Sequence, residues 1–284
     1  LAGSRRKSVT LAPSFGGFRL GLLPGGQIGT ADGPDRNGIG VKVGYDIGDH
    51  GGLHYIEASV FSLYSKAWNG AMPGYRLIIG DKNKSSWSLR AWLLLRHFDL
   101  PFEEVLIPLD QPDTTDRIRE FSPAGRVPIL LRGTETIWDS LAIMEYLAER
   151  HPALSIWPAD AAMRAQARVL AAEMHAGFAA MREELSFDCQ PGRRQPELSM
   201  TGRSDVGRIA DIWRRARLHN EDRGDFLFGA FSAADAMYAP VAVRFDRYGV
   251  ALDDICQTYV AALLQLPAMQ AWLADAGAET ADSG

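Results

Sequence analysis

The chain has 284 residues and a net charge of −5 at pH 7. At about 150 residues per domain this length predicts one or two domains. Hydrophobic residues at 46% and charged residues at 23% exclude overall disorder. The acidic balance argues against nucleic acid as the main partner. The sequence lacks the ~18–20 consecutive apolar residues of a membrane span. We therefore expect a soluble, cytoplasmic protein without a membrane partner.

The two cysteines, Cys189 and Cys256, lie far apart in the sequence. Neither belongs to a CxxC pair or to a cluster with zinc-ligand spacing. The sequence therefore predicts no disulfide scaffold, no metal site and no dithiol redox centre.

The composition changes near residue 72. The first 71 residues hold 15 of the 28 glycines, and no segment there keeps a helical or strand period for long. A basic Arg5-Arg6-Lys7 run precedes a mildly apolar stretch, but Pro13 and Gly16 interrupt any signal-peptide core. We interpret residues 1–71 as an upstream extension with little packed structure, either placed before a true start at Met72 or an authentic glycine-rich appendage.

Regular patterning begins at Tyr75. Its order predicts a small α/β domain over residues 72–152, followed by a linker around residues 151–160. The predicted strands are Tyr75–Ile79, Pro101–Ile107, Val127–Leu131 and Thr136–Trp138, and the predicted helices are Ser86–Phe98, Asp113–Phe121 and Ser140–Arg150.

The second half of the chain gives only helical signals, which predict an all-helical domain over residues 159–277. The predicted helices are Ala161–Leu185, Arg203–Leu218, Ala234–Tyr248, Asp254–Leu264 and Pro267–Ala276.

Ser85 and Ser86 lie at the first strand-to-helix junction. Hydroxyl side chains at this position commonly cap the free N–H groups of a helix. A helix N-terminus also carries about +0.5 charge, and with a hydroxyl donor it favours a bound anion. If that anion is a thiolate, both features lower the pKa of the thiol. The residues alone leave both interpretations open.

Two further segments admit a binding role as well as a structural one. Val127-Pro128 opens a short strand, and an edge residue before a cis proline presents its free N–H and C=O to a bound peptide. Arg126 beside it is either a solvated cation or a partner for a ligand carboxylate. Asp139-Ser140 starts a helix as a cap, or holds the ammonium and carboxylate of an amino-acid head group.

The sequence Ser232-Ala233-Ala234-Asp235 has the pattern of a capping box with Asp in place of Glu. We interpret it as the structural start of a core helix.

Together and in this order, these segments resemble the cytosolic glutathione transferases over about residues 74–277. The stretch Ser85–Arg90 is similar to the serine-rich SSCSxR motif of the zeta class, and Val127-Pro128 resembles the family's cis-proline site. Asp139–Leu147 is similar to the helix that binds the γ-glutamyl group, and Ser232–Asp235 matches the family's capping box. The segment Leu266–Leu273 is similar to its closing helix.

The resemblance implies a thioredoxin-like domain followed by a helical domain, assembled as a homodimer. It implies that Ser85, or else Ser86, donates its hydroxyl to the glutathione sulfur, and that no metal is used. The resemblance assigns the other parts of glutathione to Arg126, Val127, Pro128, Asp139 and Ser140. It also places a small apolar electrophile between Trp87 and residues of the long helix such as His175 or Met181.

Two positions depart from the family pattern. Trp87 stands where zeta enzymes carry Cys, which weighs against maleylacetoacetate isomerisation and against a cysteine-based reductase. Asp139 is one methylene shorter than the family's Glu or Gln, so its amine contact must be closer or bridged by water.

Three functions follow from the resemblance. The first is a transferase that joins the glutathione thiolate to a small apolar electrophile. The second is a glutathione-dependent isomerase of the zeta type, which returns glutathione unchanged. The third is a non-catalytic binding module that reuses the fold.

Overall fold

The structure of the protein is a computed structural model. It describes the backbone of residues 26–28, 40–46, 53–59, 280 and 281, and residues 74–190, 192 and 197–279 with their side chains. The chain divides into two compact units, residues 1–72 and 73–284.

The first unit contains an antiparallel sheet of three strands in the order β1-β2-β3. These are β1 (Gly26–Ile28), β2 (Gly40–Asp46) and β3 (Leu53–Ser59). The sequence pattern predicts no strand here, because no segment keeps a strand period for long. The prediction of little packed structure concerns side chains outside the described residues and stays a prediction. The suggested start at Met72 also lies outside them.

The second unit opens with a four-stranded mixed sheet in the order β5-β4-β6-β7. Strands β4 and β5 are parallel, whereas β6 is antiparallel to both β4 and β7. The strands are β4 (Tyr75–Gly80), β5 (Phe102–Ile107), β6 (Ile129–Arg132) and β7 (Glu135–Ile137). This order, βαβ followed by ββα, is the predicted thioredoxin-like arrangement.

Three helices cover this sheet: α1 (Ser86–His97), α2 (Thr114–Arg119) and α3 (Ser140–Arg150). Neighbouring residues of β4 point to opposite faces, as strand geometry requires. Leu77 and Ile79 belong to the core cluster that includes α1 and α3, whereas Ile78 packs with Ile118 of α2. All three β4 residues are fully buried. The start of α1 is thereby fixed at the carboxyl end of β4.

The rest of the second unit is helical. The helices are α4 (Ala161–Ala176), α5 (Ala179–Glu184), α6 (Met200–His219), α7 (Ala233–Arg247), α8 (Asp254–Leu264) and α9 (Pro267–Ala281). Every residue of α7 from Ala233 to Phe245 is buried, so α7 is the central helix. None of the helices in the described part is long and apolar enough to cross a membrane.

The prediction of one helix over Ala161–Leu185 is wrong, because the helix breaks at Gly177. Phe178 has a left-handed φ of 64°, and α5 starts anew after it. The guanidinium of Arg182 folds back and donates to the carbonyl oxygens of Met174 and Gly177. The last carbonyls of α4 are therefore satisfied by a side chain of the next helix.

Several other bounds differ from the prediction, and three of them have a clear structural cause or a large shift. Strand β6 begins at Ile129 and not at Val127, since Pro128 has no N–H for the sheet. Helix α6 begins at Met200, where Ser199 caps it, and α9 continues to Ala281. The division of this unit at residues 151–160 stays a prediction.

Candidate functional site

Ser85 is the N-cap of α1 and its side chain is bonded inward. Its Oγ accepts from the backbone N of Ser88 at 3.3 Å and donates to Oγ of Ser88 at 2.7 Å. Oγ of Ser88 in turn accepts from the backbone N of Gly80 at 3.1 Å. The Ser85 hydroxyl therefore ties the helix start to the end of β4.

Ser86 is the first residue of α1 and its hydroxyl lies towards the helical half. Nη2 of Arg244, on α7, donates to Oγ of Ser86 at 3.4 Å. The first turn of α1 has no acidic residue, so nothing in that turn neutralises the positive end of the helix dipole. The structure thus distinguishes two serines that the sequence could not separate.

Trp87 lies next, half-buried among cations. The guanidinium carbons of Arg90 and Arg182 are 4.3 Å and 5.0 Å from the centroid of its ring. The ring of His175 meets it edge-on, with 5.3 Å between centroids. Of the residues predicted to line an electrophile pocket, Trp87 and His175 are therefore in contact. Met181 is fully buried, and its neighbour Arg182 is the one that reaches Trp87.

Arg90 is 1% exposed, and its Nε and Nη1 have no hydrogen-bond partner among the described residues. Burial, followed by repulsion from Arg182, lowers the pKa of Arg90 to about 9. The same two causes lower the pKa of Arg244 to about 10. Both guanidiniums remain charged at neutral pH.

Asp139 and Ser140 start α3 as predicted, and they have different surroundings. Asp139 is the N-cap: one carboxylate oxygen accepts from the backbone N of Ser140, and the other lies 3.3 Å from Nε2 of His175. The Asp139 side chain is 49% exposed. Oγ of Ser140 is buried without a partner in the part of the chain that the structure describes. His175 thus links the two groups of predicted site residues.

Val127 and Pro128 lie just ahead of β6, beyond the last β4 pair, Ile78 with Ile129. The peptide bond between them is cis. Val127 is half-buried, whereas Arg126 beside it is exposed. The roles predicted for these three residues stay predictions.

The loop between β4 and α1 is held by the last helix. Both oxygens of the Glu279 carboxylate accept from backbone N–H groups, that of Lys82 at 3.0 Å and that of Asn83 at 3.1 Å. The buried ammonium of Lys82 is 2.8 Å from Glu104 and 2.7 Å from Asp275. The position of the serines therefore depends on α9 as well as on the sheet.

Two cavities, of about 230 and 260 Å³, lie along the linker at residues 154–160, on the side of Ser155 and Pro158. They are not at the start of α1. No cluster of three or more His, Cys, Asp or Glu side chains that could hold a metal ion occurs among residues with described side chains.

The sequence predicts no role in the site for Arg90, Arg182 or Arg244. A signal existed for two of them, because Arg90 and Arg244 each interrupt an apolar helix that is buried on both sides of the charge. For Arg182 the sequence carries no such signal.

The family of the chain follows from two matches. Residues 84–150 match the family model described as "Glutathione S-transferase, N-terminal domain", and residues 160–275 match "Glutathione S-transferase, C-terminal domain". The two matched segments occupy the sheet domain and the helical domain in the expected order. The chain belongs to the glutathione S-transferase family.

Curated relatives are similar to parts of the chain. A "Probable maleylacetoacetate isomerase" of Caenorhabditis elegans is 32% identical over 97 residues, which are 34% of this chain and 44% of the relative. A "Maleylpyruvate isomerase" of Ralstonia sp is 32% identical over 31% of this chain and 42% of the relative. A "Glutathione S-transferase zeta class" protein of Euphorbia esula is 37% identical over 27% of this chain and 35% of the relative. The chain spans less than half the length of each of these relatives.

Solved structures share the fold. A glutathione transferase homolog from Burkholderia, with bound glutathione, superposes with a TM-score of 0.55 at 24% identity, covering 72% of this chain and 97% of that one. A theta class glutathione S-transferase from Xanthomonas axonopodis pv. citri, also with glutathione bound, gives 0.55 at 21% identity, covering 71% and 98%. At this identity the likeness shows the fold alone.

Proposed function

We propose that the protein binds glutathione and joins the glutathione thiolate, through its sulfur, to a small apolar electrophile. The observation that carries this proposal is the start of α1, where a serine hydroxyl and unneutralised backbone N–H groups lie at the end of β4. Such a site favours an anion of one charge, as a thiolate is. The family and the glutathione in two structures of the same fold support the choice of ligand.

The residues present fit glutathione. The unpartnered hydroxyl of Ser140 is a buried donor at the start of α3, suited to the γ-glutamyl carboxylate, and Asp139 offers an oxygen to the ammonium. Val127 lies where its backbone is free to pair with the cysteinyl peptide unit. Exposed Arg126 suits the glycine carboxylate.

Bound glutathione supplies the sulfur nucleophile. Ser86, rather than Ser85, is our choice for the hydroxyl that donates to the sulfur, since the Ser85 hydroxyl is already donated to Ser88. A charge-assisted bond of this kind stabilises the ionised sulfur by about 1.5–3 kcal/mol. Trp87 and His175 then form the wall against which the electrophile lies.

A zeta-type isomerase is the second candidate. It is favoured by the relatives, of which the Caenorhabditis elegans and Ralstonia proteins are named as isomerases. It uses the same glutathione site, and it differs because glutathione is released unchanged. A binding module without catalysis is the third candidate, and the retained serines at the start of α1 argue against it.

Two further properties belong to the proposal. We infer a homodimer, because the resemblance to cytosolic glutathione transferases implies one. We infer action in the cytoplasm on the same ground, and the two free, buried cysteines are compatible with a reducing compartment.

Calorimetric titration with glutathione tests the binding half of the proposal. We expect Asp139→Ala to weaken binding about tenfold, since it removes the ammonium partner. The matched control is Asp160→Ala, which also removes a helix N-cap, that of α4, and should leave binding unchanged. Absence of binding by the unmodified protein would refute all glutathione-dependent functions.

Turnover then separates the candidates. Stoichiometric loss of glutathione with an aryl halide supports the transferase. Isomerisation of maleylpyruvate with no loss of glutathione supports the isomerase instead. Binding without either reaction supports the module.

A further inference from the structure

Three guanidinium groups from three helices meet at the start of α1. Arg90 belongs to α1, Arg182 to α5 and Arg244 to α7. Arg182 and Arg244 each act electrostatically on Arg90, and each of these repulsions favours the uncharged form. Like charges brought together out of water are costly unless an anion joins them.

Among the described residues, the charged and titratable groups that act most strongly on these arginines do not balance them. They are Asp139 near Arg90, Asp205 near Arg182, and Tyr238, Tyr248 and Cys189. Burial raises the pKa of Cys189 to about 12 and raises that of Tyr238 above its ordinary value, so both are neutral.

Two carboxylates therefore oppose three guanidiniums, and both carboxylates already accept other hydrogen bonds. Asp139 accepts from the backbone N of Ser140 and contacts His175, and Asp205 accepts from the backbone N of Met181. One positive charge is left without a counter-charge among the residues just named. Arg90, with Nε and Nη1 unpartnered and 1% exposure, shows directly that donors remain available.

Arg244 is the member of the cluster that reaches the predicted sulfur position. Its Nη1 is anchored, because it donates to the carbonyl oxygens of Arg182, at 3.1 Å, and of Leu185. Its Nη2 is directed at Oγ of Ser86 from 3.4 Å, which is long for an N–H···O bond. An acceptor bound beside the Ser86 hydroxyl could therefore receive a hydrogen bond from Nη2 of Arg244, which makes only this long bond to Ser86 among the described residues.

We propose that Arg244 is a catalytic residue of the proposed reaction, whose Nη2 donates to the glutathione sulfur anion beside the Ser86 hydroxyl. This inference rests on the proposed function, and it identifies the anion bound at the start of α1 as the ionised sulfur of glutathione. Arg90 and Arg182 supply the rest of the positive field. The sulfur gives up its S–H proton to solvent, no bond forms between protein and sulfur, and the negative charge that results matches the excess positive charge of the cluster.

The test is the pKa of the bound thiol, read from the ultraviolet absorbance of the thiolate as pH is varied over the glutathione complex. A free cysteine thiol titrates near ~8.5, and the bound thiol of the unmodified protein should titrate well below it. R244Q should raise the pKa of the bound thiol by about one or more, a loss of thiolate of at least tenfold at a given pH. R244K keeps the positive charge but loses the planar set of guanidinium N–H donors, so it should raise the pKa of the bound thiol less than R244Q does.

Two matched measurements identify the anion. R214Q removes one arginine charge from a surface pair with Asp253 and should leave the pKa of the bound thiol unchanged. S-methylglutathione has the same carboxylates and no ionisable thiol. Its dissociation constant should change less than threefold in R244Q.

Three results would overturn the proposal. One is an unchanged pKa of the bound thiol in R244Q and R244K. Another is an equal loss of glutathione and S-methylglutathione affinity, which would assign Arg244 to a carboxylate. The third is an ordinary thiol pKa in the complex of the unmodified protein, which decides the matter even if R244Q does not fold. That result would leave glutathione binding intact, whereas no binding at all would remove the proposed function itself.

Discussion

In the described part of the chain three helices, α1, α6 and α7, have a serine N-cap, and the starts of α1 and α7 are opposite in charge. At the start of α7, the carboxylate of Asp235 accepts from the backbone N of Leu227, from the N and Oγ of Ser232 and from the hydroxyl of Tyr259, all at 2.9–3.0 Å. The predicted capping box is thereby confirmed. The start of α7 therefore contains its own carboxylate, whose hydrogen bonds are all made within the protein; we call it the closed start.

At the start of α1 the third helical position is Ser88 instead of an acid, and arginines surround the turn. The same capping signal therefore yields a saturated core joint at α7 and, at α1, the start that we propose as an anion site. The residue three positions after the cap contributes to this difference, because it either supplies or withholds a negative charge.

The closed start should be the most sensitive to mutation. Asp235→Ala leaves the Leu227 N–H, the Ser232 hydroxyl and the Tyr259 hydroxyl buried without their acceptor. We expect the free energy of unfolding to fall by about 3 kcal/mol or more. Chemical denaturation measures this loss. A loss below about 1 kcal/mol would mean that the carboxylate is not the centre of this joint.

The same carboxylate should make stability depend on pH. Burial raises the pKa of Asp235 from 3.8 to about 6, against the opposing effect of its hydrogen bonds. Between these values the folded state holds a proton that the unfolded state has lost, so stability falls as pH rises. We expect a contribution of about 1–3 kcal/mol across this window.

The measurement is the unfolding free energy at several pH values between about 4 and 6, for the unmodified protein and Asp235→Asn. The variant should lose this part of the slope, whatever its absolute stability. An identical slope in both proteins would contradict the assignment of the titration to Asp235.

Substitution of Ser86, at the start of α1, should change activity and leave stability nearly unchanged. Ser86→Ala removes the proposed donor to the sulfur, and we expect kcat/KM with an aryl halide to fall about tenfold or more. Thermal unfolding should change little, because among the described residues the Ser86 hydroxyl has only the long hydrogen bond from Arg244. Full activity in this variant would exclude Ser86 as the donor.

Ser85→Ala should show the reverse pattern and the smallest effect. Its hydroxyl caps α1 and bonds to Ser88, so we expect a loss of about 1 kcal/mol in the unfolding free energy. Activity should fall less than in Ser86→Ala, measured with the same substrate. A larger activity loss in Ser85→Ala would return the role to Ser85, the first choice from the resemblance.

The sequence was sufficient for the parts of the fold that depend on local patterns. The order of strands and helices and the capping box were signalled by short segments, and the cis bond at Val127-Pro128 was implied by the family resemblance. The break at Gly177 was missed because the apolar period of Ala161–Leu185 continues through it. The break depends on a backbone turn that Arg182 stabilises from the next helix.

The candidate site was predictable only in part, for a related reason. Ser86, Asp139 and Ser140 are marked by their positions at helix starts, and such positions are local. Arg182 and Arg244 reach the site from helices about 100 and 150 residues further along the chain, and only the packing of α5 and α7 against α1 brings them there. The contact between His175 and Asp139 depends on packing in the same way.

The grip of Glu279 on the loop before α1 has a practical consequence. The amide hydrogens of Lys82 and Asn83 are both bonded to that one carboxylate, so they exchange with deuterated solvent only when this contact between α9 and the loop opens. Deuterium uptake at these two amides therefore reports the docking of the last helix. The uptake rate also measures how often the loop between β4 and α1 opens, without a ligand or a turnover assay.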